Sequence, residues 1–243
     1  MVLNIYRKNT VFTAFNQPLE HWNVSNVTTM GGMFWGATVF NQPLEQWNVA
    51  NVTTMQWMLS LASAFNQPLE HWDVANVTTT ERMFSADVFN QSLEQWNVAD
   101  GTTMDEMFNE ATAFNQPLEQ WDVANVTTMR GMFWGATAFN QPLGQWDVAN
   151  VTTMKEMFRR AIALNRNTEK FVRPLWTSTK KEDMKQWQKW YSSVMSFRAV
   201  VMCENKPADR KKTDGSAAGV AVGVVAQVLT IPGLAGEIEA FLF

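Results

Sequence analysis

The sequence predicts an α/β repeat solenoid with one short parallel strand and one short helix per 25-residue turn. Three observations carry this: a fixed repeat period, helical spacing in the second half of each repeat, and a proline at the start of its first half. A motif seen in full as Phe114-Asn-Gln-Pro-Leu-Glu-Gln-Trp-Asp-Val-Ala-Asn-Val-Thr-Thr-Met129 begins at Phe15, Phe40, Phe65, Phe89, Phe114 and Phe139. The spacing is 25 residues, except 24 between Phe65 and Phe89. A period of this size marks a stack in which no single repeat can bury its own apolar face.

The helix is read from Met154, Met157, Phe158 and Ala161, which fall at i, i+3, i+4 and i+7. Thr103-x-x-Glu106 and Thr153-x-x-Glu156 match the capping box, which puts the helix start at the second threonine. The strand is read from Pro117 to Trp121. Proline has no amide hydrogen, which excludes a helix interior but suits the first position of a strand. Val123 and Val126 follow in a bend. Stacking would bring successive strands about 4.8 Å apart, parallel and in register. Phe114, Leu118, Trp121, Val123, Val126, Met129, Met132, Phe133 and Ala136 are expected to face inward.

Asparagine and glutamine follow the leading phenylalanine in every copy. A side-chain amide is both donor and acceptor, so these columns are expected to form ladders. Some copies depart from the pattern. Asp100-Gly101 replaces Asn-Val, Gln91-Ser92 replaces Gln-Pro, and Thr80 replaces an inward methionine. Repeats three and four are therefore expected to pack worst.

Charge is unevenly spread. Residues 15–163 carry 5 Lys+Arg against 15 Asp+Glu, whereas residues 164–243 carry 12 against 8. An acidic array does not suit a polyanion, so nucleic acid is not an expected partner. One cysteine, Cys203, excludes an internal disulfide framework. With only His21 and His71 as histidines, no ordinary metal site is expected. There is no phosphate loop, nucleophile elbow or metal signature, so neither an enzyme nor a cofactor is expected.

Outside the array the chain divides further. Residues 1–14 read as a degenerate or truncated repeat, since Asn9 to Ala14 looks like the worn end of an earlier copy. A truncated start would remove any signal peptide, and none is visible. Residues 164–203 are expected to form a C-terminal cap. Thr179-x-x-Glu182 there would start an amphipathic helix over 180–197, and its lysines also fit a calmodulin-type target. Residues 204–214 read as a basic linker, and residues 215–243 as an apolar Gly/Ala/Val-rich tail. Residues 215–236 contain no charge and are long enough for a membrane span. Their glycines, Pro232 and Gln227 fit a low-complexity tail equally well. If the tail spans a membrane, Lys206, Arg210, Lys211 and Lys212 would face the cytoplasm.

Two sets of residues are candidates for binding. Glu20, Glu45, Glu70, Glu94 and Glu119 form an outward column ending at Gly144, able to attract a basic partner or divalent cations, or to act simply as a solvated face. The pairs Gly31-Gly32, Gln56-Trp57, Glu81-Arg82, Asp105-Glu106, Arg130-Gly131 and Lys155-Glu156 vary where the rest is constant. Trp35 and Trp134 occupy another variable place. Constant positions carry the fold and variable ones carry specificity, so Trp35, Trp57 and Trp134 are the candidate contact anchors if exposed. The recurring Asn-Val-Thr matches a glycosylation triplet, but it recurs because it is the bend.

The run Phe-Asn-Gln-Pro-Leu-x-x-Trp-Asx-Val-x-Asn-Val-Thr-x-Met-x-x-Met-Phe-x-x-Ala over residues 15–163 resembles the repeat of BspA-like leucine-rich-repeat surface proteins. The resemblance implies a leucine-rich-repeat-like solenoid at a cell surface or membrane, with adhesion or protein binding as its role and no catalytic residues. The expected function is a non-enzymatic scaffold for a protein or cell-surface ligand. The alternative is a structural surface or envelope spacer without a specific ligand.

Overall fold

The computed structural model describes residues 13–85 and 88–164. The expected cap, its helix at 180–197, the basic linker and the apolar tail lie outside the described residues. Within them, six tiers stack in chain order: 15–39, 40–64, 65–88, 89–113, 114–138 and 139–163. Parallel β-bridges join Thr29 to Thr54, Thr54 to Thr79, Thr79 to Thr103, Thr103 to Thr128 and Thr128 to Thr153. These pairs fix the register of the stack at one repeat per tier.

The fold is not the α/β solenoid, leucine-rich-repeat-like or otherwise, that the sequence predicts. No described residue is helical, and the strands shrink to isolated bridges. The segment read as a helix shows why. In tier five, Met129, Gly131, Phe133 and Gly135 donate their amides to Thr153, Lys155, Met157 and Arg159 of the next tier, at 2.8–3.0 Å. The intervening amides close four-residue β-turns instead: Met132 to Met129, Trp134 to Gly131 and Ala136 to Phe133. Gly131 and Gly135 have φ of 58° and 72°. A left-handed residue every four positions breaks a right-handed helix, and amides spent on the neighbouring tier leave none for i→i−4 bonds. Pro117–Trp121 is likewise not a strand, because the Trp121 amide turns back to the Leu118 carbonyl at 3.1 Å.

The core nonetheless contains the expected side chains. In tier five Phe114, Leu118, Trp121, Val123, Val126, Met129, Met132, Phe133 and Ala136 are all buried. Phe40, Phe65, Phe89, Phe114 and Phe139 stack as near-parallel rings with centroids 5.8–6.3 Å apart. A second phenylalanine column, Phe84, Phe108, Phe133 and Phe158, runs beside it at 5.5–5.7 Å. Each large side chain contributes about 1.5–3 kcal/mol on full burial, and most of its contact surface belongs to adjacent tiers.

Polar ladders run alongside. The amide of Asn41 donates to Asn16 Oδ1, Asn66 to Asn41, Asn90 to Asn66, Asn115 to Asn90 and Asn140 to Asn115. Each following glutamine donates its Nε2 to the same asparagine of the tier before. Buried tryptophans donate Nε1 to a leucine carbonyl one tier back, as Trp121 does to Leu93 at 3.0 Å. The Asn/Asp after each tryptophan closes an Asx turn, for example from the Ala124 amide to Asp122 Oδ1. The one-residue deletion is absorbed before Asn90, since the ladder already spans 24 residues there.

Candidate binding surface

The variable residues lie on a run of tandem β-turns. The second residue of each variable pair (Gly32, Trp57, Arg82, Glu106, Gly131, Glu156) has φ of 52–63°. Four residues on, Gly36, Leu61, Glu110, Gly135 and Arg160 have φ of 57–72°. Type II turns demand φ > 0 at their third residue, so the backbone requirement recurs while the side chain is free to change. Trp35 and Trp134 stand between such positions, and in both tiers the flanking left-handed residues are glycines. The position a Gly131 Cβ would take is 3.8 Å from the Trp134 Cβ.

All five Lys/Arg of the array fall on these columns, and four of them are paired with carboxylates. Glu106, only 11% exposed in its side chain, is held by both Arg82 and Arg130, the latter at 2.7 Å. Asp105 accepts from the Thr128 hydroxyl and from the Arg130 amide. The Arg82 guanidinium lies 4.9 Å from the centre of the Trp57 ring, a cation–π geometry. Arg159 pairs with Glu156, and Arg160 reaches Glu110 two tiers away at 3.9 Å. The Glu110 carboxylate crosses tier five over Gly135, where a Cβ would come within 2.7 Å of its Oε2.

Residues 20–23 and their equivalents carry most of the remaining charge. Glu20, Glu45, Glu70, Glu94 and Glu119 form the expected column, exposed or half-buried. Asp73, Asp122 and Asp147 lie beside it, and no Lys or Arg among the described residues does. The His71 Nε2 sits 3.6 Å from both Glu45 and Glu70, bridging two tiers, and His21 is 4.0 Å from Glu20. An open groove of about 440 Å³ lies between tiers five and six, lined by Glu119, Gln120, Trp121, Asp122, Gln145 and Asp147. Two of its carboxylates already accept Asx-turn amides. No group of three or more His, Cys, Asp or Glu among the described residues is arranged to hold a metal ion.

Trp35, Trp57 and Trp134 are all half-buried. Trp35 and Trp57 lie on adjacent tiers, and Trp134 is four tiers from Trp35, so the three do not share one site. Trp134 Nε1 is buried without an acceptor. The structure adds Leu61, four residues after Trp57 and 54% exposed. Its variable column was visible in the repeat alignment, but its left-handed backbone was not.

Residues 3–103 and 86–198 match the family model "Mycoplasma protein of unknown function, DUF285". The chain belongs to this family. The two matched stretches overlap and together take in all six tiers, so the family is one of repeat-containing chains. Neither a curated protein nor a solved structure matches this member of the family. No helix among the described residues is long and apolar enough to cross a membrane.

Proposed function

We propose that the chain is a non-enzymatic scaffold that binds a protein or cell-surface ligand through the side chains of its tandem β-turns. One observation supports this above others. Nearly every constant position is used by the stack, in core, ladder or turn, while the side chains on the tandem turns change from tier to tier. Tryptophan and arginine there are the residue types that dominate contact energy at interfaces. The resemblance of the repeat to BspA-like surface proteins adds adhesion as the kind of binding and a cell surface or membrane as the place. The glutamate column would favour a basic partner.

A second reading, a surface or envelope spacer with no ligand of its own, is favoured by two contacts. Arg82 covers one face of Trp57, and the indole nitrogen of Trp134 is buried, as packing residues would be. Replacing Trp35, Trp57 and Trp134 together by alanine, with circular dichroism to confirm the fold, separates the two. A scaffold captures a specific ligand from host matrix or lysate and loses it in the variant. Retention by the variant rejects the tryptophans as the site, and absence of any specific capture by the parent chain favours the spacer.

A further inference from the structure

The bend before the threonine ladder is tied to the tier behind it by an asparagine. Asn51, Asn76, Asn125 and Asn150 each donate Nδ2 to a carbonyl of the preceding tier at 2.7–2.8 Å. Tier four has Asp100-Gly101 at this place. A carboxylate has no hydrogen to donate. The Ala75 carbonyl, which an asparagine here would reach, receives no hydrogen bond from the described residues. The Asp100 side chain is exposed and has no partner among them. The other described aspartates are all held. Asp73, Asp122 and Asp147 accept the amides of Ala75, Ala124 and Ala149, and Asp105 accepts the Thr128 hydroxyl and the Arg130 amide. Each of those four is followed by Val or Glu. Only Asp100 among them is both unheld and followed by glycine.

Those two properties are what a backbone amide needs to attack the carboxyl group of the residue before it. A free side chain can turn its Cγ toward the following nitrogen, and glycine brings no Cβ to crowd the ring that forms. Here the Gly101 amide donates to the Val98 carbonyl at 2.8 Å, and Gly101 is buried. That turn has to open before the nitrogen can react. It lies on the seam between tiers three and four, where Thr80 buries an unpaired hydroxyl and tier three is one residue short. Local opening draws on such a seam.

We propose that Asp100-Gly101 is a self-modifying site whose substrate is its own backbone and whose co-reactant is water. The Gly101 nitrogen attacks Asp100 Cγ, the N–Cγ bond forms, and the carboxyl hydroxyl leaves as water with the amide hydrogen. The product is a five-membered succinimide. Water then adds to one of the two ring carbonyls. Breaking the bond from nitrogen to Cγ returns aspartate. Breaking the bond from nitrogen to the main-chain carbonyl gives isoaspartate, in which the main chain runs through Cβ and Cγ. One water leaves and one returns, and nothing is oxidised or reduced. The isoaspartate backbone is one carbon longer just before Thr102 and Thr103, whose amides both reach the Thr78 carbonyl. It shifts that ladder and loosens the seam as the protein ages. The tandem turns take no part, so the site stands or falls independently of the proposed scaffold surface.

The test ages the full chain in heavy-oxygen water at neutral pH and reads each aspartyl peptide by electron-transfer mass spectrometry, which separates isoaspartate from aspartate. Labelled isoaspartate is expected at Asp100, with Asp73, Asp122 and Asp147 at background. Asp214-Gly215, the other Asp-Gly of the sequence, lies outside the described residues and is read as a separate peptide. Asp100→Glu is too long to close a five-membered ring and replaces an exposed side chain without a partner. It should keep the fold and lose the signal. Thr80→Val holds the seam closed and should slow the reaction about fivefold at Asp100 and not at Asp214. In the aged protein, hydrogen exchange of the peptide containing Thr102 and Thr103 should be faster than in Asp100→Glu aged alike. Background isoaspartate at Asp100, an equal rate in Thr80→Val, or unchanged exchange at Thr102 and Thr103 overturns the proposal.

Discussion

At the scale of single residues, the repeat itself provides the control, since each departure can be compared with five equivalents. Thr80 stands where the other tiers have methionine. It is 6% exposed and its hydroxyl has no partner. A buried hydroxyl without a hydrogen bond costs about 1–3 kcal/mol, and valine has nearly the same shape without that cost. Thr80→Val is therefore expected to raise stability by roughly 1 kcal/mol, read as a higher melting temperature; an unchanged or lower one would show that the hydroxyl finds water. That Thr80 is a fault was legible in the sequence, because the alignment of repeats marks it. The consequence of Gly101 was only half legible. It does leave out an inward valine, but the Met104 Cε lies 3.3 Å from the position a Cβ would take, and that Cβ would lie 2.9 Å from the Val98 carbonyl oxygen.

At the scale of elements, the sequence was misleading for a definable reason. Two tandem β-turns repeat every four residues, so their buried positions fall at i, i+3, i+4 and i+7, the same set as one face of a helix. Burial of Met129, Met132, Phe133 and Ala136 is thus compatible with either backbone. What separates them is the sign of φ at every fourth residue. Only the Gly-x-x-x-Gly of tiers one and five hints at it, while Trp57, Leu61, Glu106 and Glu110 in equivalent places conceal it. The variable columns shared this fate: their variability was legible, but not that Arg82 lies over Trp57. The left-handed positions make a paired prediction. An L-residue there costs about 1–2 kcal/mol relative to a right-handed conformation, against about 0.5–1 kcal/mol for the extra unfolded freedom of glycine. Leu61 is at φ 59° and largely exposed, so Leu61→Gly should stabilise by about 0.5 kcal/mol. Gly135→Ala should destabilise by at least about 1 kcal/mol, because it also displaces the Glu110 carboxylate. Urea midpoints at constant slope measure both; the same sign for the two substitutions would contradict the turn geometry.

At the scale of the whole array, stability is a sum of tiers and seams, because each tier hydrogen-bonds and stacks mainly on its neighbours. The seams are unequal. Between tiers five and six the Asn, Gln, Trp and Thr ladders are all made, the bend asparagine Asn150 reaches the Ala124 carbonyl at 2.8 Å, and Phe133 stacks on Phe158. Between tiers three and four the four ladders persist. There, however, Asp100 stands in the bend-asparagine column, Gly101 leaves out a valine, Thr80 buries an unpaired hydroxyl, and one residue is missing before Val88. Local opening draws on whichever seam holds least. Hydrogen exchange followed by mass spectrometry should therefore find the ladder amides of Thr80, Thr102 and Thr103 exchanging faster than those of Thr127, Met129 and Thr152. Thr80→Val should slow exchange in tiers three and four and leave tier six almost unchanged, since a nearest-neighbour stack passes little stabilisation beyond the seam that gains it. Equal slowing at every tier would mean that the array opens as one cooperative unit, and the additive account of tiers and seams would have to be replaced.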